Sequence, residues 1–225
     1  MTPANALTLA AASLLLLGSA SAARASIEAG QGAPSFDLGN LQDRAETLYN
    51  TLTETPSDMP QDVAQQNIDA FINMILQAEG TAGEANPWAV CYGYKHTIQD
   101  FSDHPAITGE WRGERLPDAM CKNAGFGPGC VSSAAGGLQI IKGTWLSVQR
   151  ALGLPDFSEA SQRAAGAELI RRRGALEDVK AGRIAAAITK CKNEWASLPG
   201  NYAKQGQRQI GDLIAWYQNN GGTTA

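Results

Sequence analysis

An acidic residue at the end of an apolar helical stripe is the first candidate for chemistry in this sequence. Ile68, Ile72 and Ile75 recur at helical spacing. Glu79 continues the same stripe, and Gly80 is typical of the position just past a helix end. The pattern therefore predicts a carboxyl group that faces the interior at the negative end of the helix dipole.

Such a position changes the proton affinity of a carboxyl group. Burial and the helix dipole both disfavour the ionised form, so we expect the pKa of Glu79 to lie above its ordinary value. A carboxyl group that keeps its proton near neutral pH can act as a general acid. The alternative is a structural one, in which Glu79 lies on the rim or pairs with a buried arginine.

A glycine-rich segment, SSAAGGLQII at 132–141, lies at the entry to a later helix. Gly136 and Gly137 carry no side chain, so the backbone there can approach a ligand closely. Gln139 can both donate and accept hydrogen bonds, which suits sugar hydroxyl and acetamido groups. We predict these three residues for substrate binding, the alternative being that the glycine pair is simply a turn.

Three tyrosines are candidates for contact with the apolar faces of sugars. Tyr92 and Tyr94 precede the glycine-rich segment, and Tyr202 follows LPGN in a loop. We predict all three as substrate-binding residues, although each is also compatible with a core or rim position.

A hydrolase would need a second carboxylate besides Glu79. Asp100 and Asp103 are the two candidates for it. We favour a turn instead, because Asp103 can bond its own backbone and Pro105 fixes the chain. The only two histidines, His96 and His104, are too few for a metal site. We therefore predict no metal and no cofactor.

The formal net charge of −4 comes from the first part of the 225-residue chain. Residues 1–60 hold two basic and six acidic side chains, whereas residues 61–225 hold 16 of each. No basic excess indicates a nucleic-acid partner. The length is sufficient for one well-buried domain with additional segments.

The apolar segment ANALTLAAASLLLLGSASAARA at 4–25 is typical of a secretory signal peptide, with small residues before candidate cleavage sites at Ala22 and Ala25. No Lys or Arg precedes it, and a stretch of ~20 residues can also span a membrane as an uncleaved anchor. We predict a protein exported to the periplasm or the extracellular space. An uncleaved membrane anchor is the alternative to cleavage, and the N-terminus is also a candidate for transient membrane association.

Residues 26–60 are polar and are predicted to form a linker, with a short amphipathic helix at 41–52. The catalytic domain is then 61–225. Its first helix, which carries Glu79, is expected to begin near Pro60 with Asp58 as its cap.

Residues 80–135 contain many turn residues, and 90–101 is predicted to hold a short strand pair. Helices are predicted afterwards at 144–154, 158–175, 176–198 with a break near Gly182, and 207–222. The sequence therefore predicts an α+β fold that is predominantly α.

Four cysteines fit an oxidising destination. Cys121 and Cys130 bracket the Gly- and Pro-containing loop KNAGFGPG, which a disulfide can close. The remaining pair is Cys91 and Cys191, although four cysteines allow three connectivities and this one follows from proximity alone. Their spacing contains no C-x-x-C, which argues against zinc.

Seven short segments resemble, in the same order, the bacteriophage lambda-type lysozymes, which belong with the lytic transglycosylases of the lysozyme superfamily. They are AEGT (78–81), FSDHP (101–105), SAAGGLQI (133–140), LGLPDFSEASQ (152–162), RGAL (173–176), NEWASLPG (193–200) and DLIAWYQNNGGT (212–223). Residues 109–131 do not match that pattern, and we interpret them as an insertion at the edge of a groove.

The resemblance implies a lysozyme-like fold, in which a helical lobe and a small β-containing lobe flank a groove. It implies an enzyme that cuts the peptidoglycan glycan strand between N-acetylmuramic acid and N-acetylglucosamine, and we predict that this enzyme is a monomer. Glu79 matches the acid/base of that family, which has no carboxylate nucleophile. The muramoyl 6-hydroxyl attacks its own anomeric carbon instead, whereas glycosidases usually need two carboxyl groups.

Two other functions remain open at this point. One is a hydrolytic lysozyme on the same fold, which would use water and a second carboxylate. The other is a non-catalytic module that binds the cell wall or belongs to a virion. Glu79 argues against the second, because binding alone has no use for an acid in that position.

Overall fold

The computed structural model describes residues 38–53, 61–123, 125–201 and 206–225. Its helices are α1 Leu38–Thr53, α2 Gln61–Glu79, α3 Pro105–Thr108, α4 Asp118–Asn123, α5 Lys142–Leu152, α6 Glu159–Arg172, α7 Leu176–Lys180, α8 Ile184–Cys191 and α9 Ile210–Asn219. Strands β1 Glu114–Arg115 and β2 Val131–Ser132 form a small antiparallel sheet, with Glu114 opposite Ser132. The predominantly helical α+β class is confirmed.

Helix α2 is the central element of the fold because its apolar stripe is buried along most of its length. Ile68 and Ile75 have no exposed surface and Ile72 has almost none. The helix packs against α6, α7 and α9. It ends at Glu79, and Gly80 follows in the left-handed conformation that glycine adopts without strain. The predicted cap, Asp58, lies outside the described residues.

The later helices lie in the predicted segments but differ at their ends: α5 begins at Lys142 instead of 144, and α8 ends at Cys191 instead of 198. The side chain of Ser158 caps α6 by accepting a hydrogen bond from the backbone of Ser161. Gly153 closes α5 in the left-handed conformation, and Gly182 separates α7 from α8. Local cap and turn residues therefore decide these boundaries.

The strand pair predicted within 90–101 is reduced to a single antiparallel bridge between Val90 and Thr97. Tyr92–Tyr94 forms a 3₁₀ turn instead, and both Gly93 and Tyr94 have positive φ, which a strand does not permit. The two-stranded sheet is formed by β1, which lies inside 109–131, and β2, which begins at the end of that range. Residues 109–131 are the segment that does not match the lambda-type lysozyme pattern.

Helix α1 corrects the prediction of a linker over 26–60. It is longer than the predicted 41–52 helix, and it packs along α6 with Ala45 and Tyr49 buried. The phenol of Tyr49 donates a hydrogen bond of 2.8 Å to Asp69 on α2. The described part of this segment is therefore packed against α6 and α2.

The cysteines form one of the two predicted disulfides. Cys121 and Cys130 are bonded and close the loop between α4 and β2. Cys91 and Cys191 are free thiols, so the predicted second pairing is wrong. The backbone of Cys91 forms an isolated antiparallel β-bridge with Ala135, whereas Cys191 is the last residue of α8. Both side chains are fully buried in the apolar core. Burial raises the pKa of both thiols to about 12 and keeps them protonated.

Among the described residues, no helix combines the length and the apolar character that crossing a membrane requires. The predicted signal segment at 4–25 lies outside them.

Candidate active site

The carboxyl group of Glu79 lies at the C-terminal end of α2, where its side chain is half-buried. The hydroxyl of Ser197 donates a hydrogen bond of 2.6 Å to its Oε1. Ser197 is buried and belongs to the segment between α8 and α9. The acid is therefore held at the helix end by a residue 118 positions later in the chain.

Burial raises the pKa of Glu79 above the ordinary value for glutamate. Hydrogen bonds from the hydroxyl and backbone N–H of Ser197 lower it, as does the charge of Arg208, but burial outweighs them. The direction predicted from the helix pattern is thus confirmed. A carboxyl group in this state can keep a proton at a pH where a surface glutamate has lost it.

Tyr94 and Arg208 lie beside the same helix end. The phenol of Tyr94 donates to the backbone carbonyl of Glu79 at 3.2 Å, and Arg208 Nε donates to the carbonyl of Ala78 at 3.0 Å. Position 80 requires glycine, because a Cβ there would lie 2.6 Å from the phenol oxygen of Tyr94. Two carbonyls that the helix leaves unpaired are satisfied in this way.

Thr81 connects the helix end to the glycine-rich segment. Its buried hydroxyl lies 2.7 Å from the carbonyl oxygen of Gly137 and 3.2 Å from that of Leu76. The indole of Trp195 donates to the carbonyl of Leu138 at 3.1 Å. These contacts tie the glycine-rich segment to the turn that follows Glu79.

Internal packing explains the presence of glycine at positions 136 and 137, whereas the sequence predicts close approach to a ligand. Gly137 donates to the side-chain oxygen of Gln162 at 2.9 Å, and Gly136 donates to the carbonyl of Val90 at 2.8 Å. A Cβ on Gly137 would stand 2.7 Å from the ring of Trp88. Both glycines are buried, so packing inside the protein requires them, and their contact with substrate remains a prediction.

Gln139 is half-buried and has a positive φ of 49°, which is uncommon for a residue with a side chain. Its Nε2 donates to the carbonyls of Gly136 at 2.9 Å and Val90 at 3.2 Å. Its Oε1 receives no hydrogen bond from the described part of the chain and is available to a donor.

The predicted tyrosines fall into three situations. Tyr94 is exposed and belongs to the site through its bond to the Glu79 carbonyl. Tyr92 is half-buried in the same 3₁₀ turn, and its backbone donates to Ala134. Tyr202 lies outside the described residues.

The two aspartates that could have supplied a second carboxylate have structural partners. Asp103 Oδ1 accepts from the indole of Trp145 at 2.7 Å and from the amide of Gln149 at 3.3 Å. Asp100 accepts from the backbone of Ser102 at 2.9 Å and is a turn residue. The turn interpretation is confirmed, because Asp103 Oδ1 also accepts from the backbone N–H of His104 at 2.7 Å, and Asp103 additionally ties its loop to α5.

Metal-ligating side chains do not gather near Glu79: within the described ranges, no group of three or more His, Cys, Asp or Glu residues is arranged to hold a metal ion. Two polar cavities flank α1, one against α2 and α9 and the other against α6. Neither is lined by a residue of the Glu79 site, so neither bears on the chemistry there.

Sequence reasoning missed Ser197 and Arg208 as site residues. Ser197 lies in the quoted NEWASLPG segment, which would have been the signal for it. Arg208 has no local pattern that would have identified it, because it meets Ala78 across a separation of 130 residues.

A mostly helical fold, with a partly buried acid at the end of its central helix, is the arrangement expected of a lysozyme-like protein. The family model described as Endolysin matches residues 69–224. The chain is 36% identical to the endolysin of Escherichia phage P2 over 177 residues, which are 74% of this chain and all of that protein. It is 33% identical to the endolysin of Escherichia phage lambda over 159 residues, 68% of this chain and 90% of that one. The chain belongs to the endolysin family.

The fold agrees with this assignment. A structure of bacteriophage lambda lysozyme complexed with a chitohexasaccharide superposes with a TM-score of 0.60 at 33% identity, covering 71% of this chain and 97% of that one. A second structure, of lysozyme from bacteriophage lambda, gives a TM-score of 0.57 at 31% identity over the same shares. The lysozyme-like fold predicted from the sequence is confirmed.

Proposed function

We propose that this endolysin is a peptidoglycan lytic transglycosylase that cleaves the glycan strand between N-acetylmuramic acid and N-acetylglucosamine. Glu79 serves as the only acid/base. The observation that carries the proposal is the carboxyl group of Glu79, half-buried at the end of α2, with a raised pKa and a hydroxyl donor at 2.6 Å. Such a group can supply a proton to a leaving oxygen near neutral pH.

The reaction has two proton transfers at one side chain. Glu79 first protonates the glycosidic oxygen, and the bond from the muramoyl anomeric carbon to that oxygen breaks. The resulting carboxylate then takes the proton of the muramoyl 6-hydroxyl as that oxygen bonds to the anomeric carbon. The product carries a 1,6-anhydro end, no water is consumed, and Glu79 is protonated again.

Within the described ranges, the two candidate second carboxylates have structural partners, which supports the internal nucleophile. Retaining glycosidases place two carboxyl groups about 5 Å apart, and inverting ones roughly 6.5–9.5 Å apart. Asp103 bonds Trp145 and Asp100 closes a turn. Among the described acids, Glu84 also acts through its charge on the Tyr94 phenol beside Glu79, and Glu84 is exposed at the surface.

The substrate class rests on the relatives and on the polar groups near Glu79. A relative of the same fold is complexed with a chitohexasaccharide, a chain of N-acetylglucosamine units. The free oxygen of Gln139 suits an acetamido N–H, and exposed Tyr94 offers an aromatic face. We assign both residues, with Tyr92 and Tyr202, to substrate binding in this proposal. Export to the wall, a monomeric state and membrane association remain predictions from the sequence.

The central experiment measures release of soluble fragments from purified peptidoglycan. Glu79→Gln keeps the shape and an acceptor for Ser197 but has no proton to give, so we expect its rate to fall at least a hundredfold. Glu84→Gln is the matched control and should keep the parent rate. A Glu79→Gln variant as fast as the parent would overturn the proposal and favour a non-catalytic wall-binding module.

Product analysis separates the proposal from the hydrolytic alternative. Mass spectrometry of fragments made by the parent should detect anhydro-muramoyl ends, which are 18 Da lighter than the hydrolysed ends because no water enters. Reducing ends throughout, together with loss of activity in Glu84→Gln, would identify a water-using lysozyme with Glu84 as its second carboxylate.

A further inference from the structure

Arg208 connects the helix end to the loop that carries Ser197. Its Nε donates to the carbonyl of Ala78 at 3.0 Å, one residue before Glu79. Its backbone N–H donates to the carbonyl of Ser197 at 2.9 Å. The hydroxyl of Ser197 in turn donates a hydrogen bond to the carboxyl group of Glu79. One residue therefore holds both the helix end and the group that orients the acid.

The guanidinium of Arg208 is fixed by its surroundings. It lies 5.9 Å from the centroid of the Trp216 ring, within the range of a cation–π contact. Its Nη2 would be 3.9 Å from a Cβ at Gly80, which places it over the residue that follows the acid. The half-buried side chain is thus held from α2 on one side and from α9 on the other.

The charges around Glu79 are few in the described part of the chain. Arg208 is the cation there whose charge acts on the carboxyl group, and it also acts on Tyr94. Tyr94 is a neutral phenol that donates to the Glu79 backbone, and Glu84 lies beyond it on the exposed side. Ser197 contributes hydrogen bonds but no charge.

We propose that Arg208 is a positioning residue, which holds the Ser197 loop on the end of α2 and stabilises Glu79 as a carboxylate between its two proton transfers. This inference rests on the proposed function, in which one side chain must both give and take a proton. Burial makes the carboxylate unfavourable, and a nearby cation reduces that cost without removing it, because burial still dominates. A group that is only an acid would have no need of the cation.

The test compares Arg208→Gln and Arg208→Lys with the parent, using the pH profile of kcat/KM on purified peptidoglycan. The loss of activity at high pH reports deprotonation of Glu79 in the free enzyme. This loss of activity is the high-pH limb of the profile. In Arg208→Gln we expect the limb to move to higher pH, because the cation that favours the carboxylate is gone. We expect the rate at the optimum to fall about tenfold.

Arg208→Lys keeps the charge and loses the planar fork, so its limb should stay near that of the parent while its rate falls less. Arg150→Gln, which removes an exposed arginine at the end of α5, is the matched control and should change neither quantity. A rate loss in Arg208→Gln with an unmoved limb would overturn the proposal and leave Arg208 a purely structural residue.

A carboxyl NMR titration of the full-length protein tests the same point without turnover. We expect the pKa of Glu79 to be higher in Arg208→Gln than in the parent, and an unchanged value would contradict the proposal. The proposed function fails separately. Reducing ends in the products would refute the internal nucleophile, yet a displaced limb would still support the role of Arg208.

Discussion

Among single residues, Glu79 is stabilised in its protonated form, which the proposed mechanism uses first. Its environment favours the protonated state because burial outweighs both Ser197 and the cation Arg208. The same environment makes the ionised state costly to the folded protein. A carboxyl group held protonated in this way is therefore expected to reduce stability at the pH where it ionises.

Glu79→Gln should accordingly be more stable than the parent at neutral pH. Because the pKa of Glu79 is raised in the folded state, the cost of ionisation is absent below the unfolded value of about 4.3 and grows as the pH rises toward the folded value. We expect a higher Tm for the variant at pH 8, by about 2–4 °C for each kcal/mol of cost removed, and equal Tm values at pH 3.5. Thermal unfolding followed by circular dichroism at both pH values provides the measurement. A gap of the same size at both values would show that ionisation is not its cause.

At the scale of elements, the end of α2 and the glycine-rich segment are joined at Thr81. The hydroxyl of Thr81 is buried and lies 2.7 Å from the carbonyl oxygen of Gly137. That carbonyl has no other donor among the described residues, so it would be left unpaired if the hydroxyl were removed.

Thr81→Val keeps the shape of the side chain and removes the donor. We expect the free energy of unfolding to fall by about 1–3 kcal/mol, and kcat to fall because Gln139 is no longer fixed relative to Glu79. Thr81→Ser, which retains the hydroxyl, should recover most of the activity. Urea unfolding and peptidoglycan turnover measure the two effects, and equal behaviour of the two variants would refute the role of the hydrogen bond.

Helix α1 lies before the residues 69–224 that match the endolysin family, yet it is packed on α6. Ala45 has no exposed surface, so a charge there would have to be buried or the helix would have to leave its site. We expect Ala45→Asp to lower the free energy of unfolding by about 2 kcal/mol or more, whereas Thr47→Asp on the exposed face should change it little. Chemical unfolding of the full chain tests this, and equal effects of the two variants would show that α1 contributes nothing to the stability of the domain.

The elements also show what the sequence could and could not predict. Helix α2 and the Gly80 that ends it follow from periodicity and local conformation, and they placed the acid correctly. The free state of Cys91 and the hydrogen bond from Ser197 depend on contacts between distant parts of the chain. No local pattern encodes such contacts, which is why Arg208 was missed and the second disulfide was wrong.

Across the whole molecule, Glu79 and the buried acids Glu168 and Asp178 fall into two classes with opposite dependence on pH. Burial alone would raise the pKa of Glu168, but hydrogen bonds from Arg171 at 2.6 Å and Arg172 at 2.8 Å lower it. Asp178 has a lowered pKa because Lys190 and Arg183 bond it. These ionised acids stabilise the fold, whereas ionised Glu79 destabilises it.

Glu168→Gln should therefore be destabilising at neutral pH but not in acid. A carboxylate whose folded pKa is depressed contributes stability above its unfolded pKa of about 4.3 and loses it as the pH falls through the folded value. We expect the variant to lose about 1.5–3 kcal/mol at pH 7, measured by urea unfolding, and the gap to shrink steadily as the pH falls below 4. Glu159→Gln, which breaks an exposed pair with Arg163, is the control and should cost less than about 1 kcal/mol at any pH. A gap for Glu168→Gln that stayed constant with pH would mean that lost packing, and not the charge held by the two arginines, accounts for it.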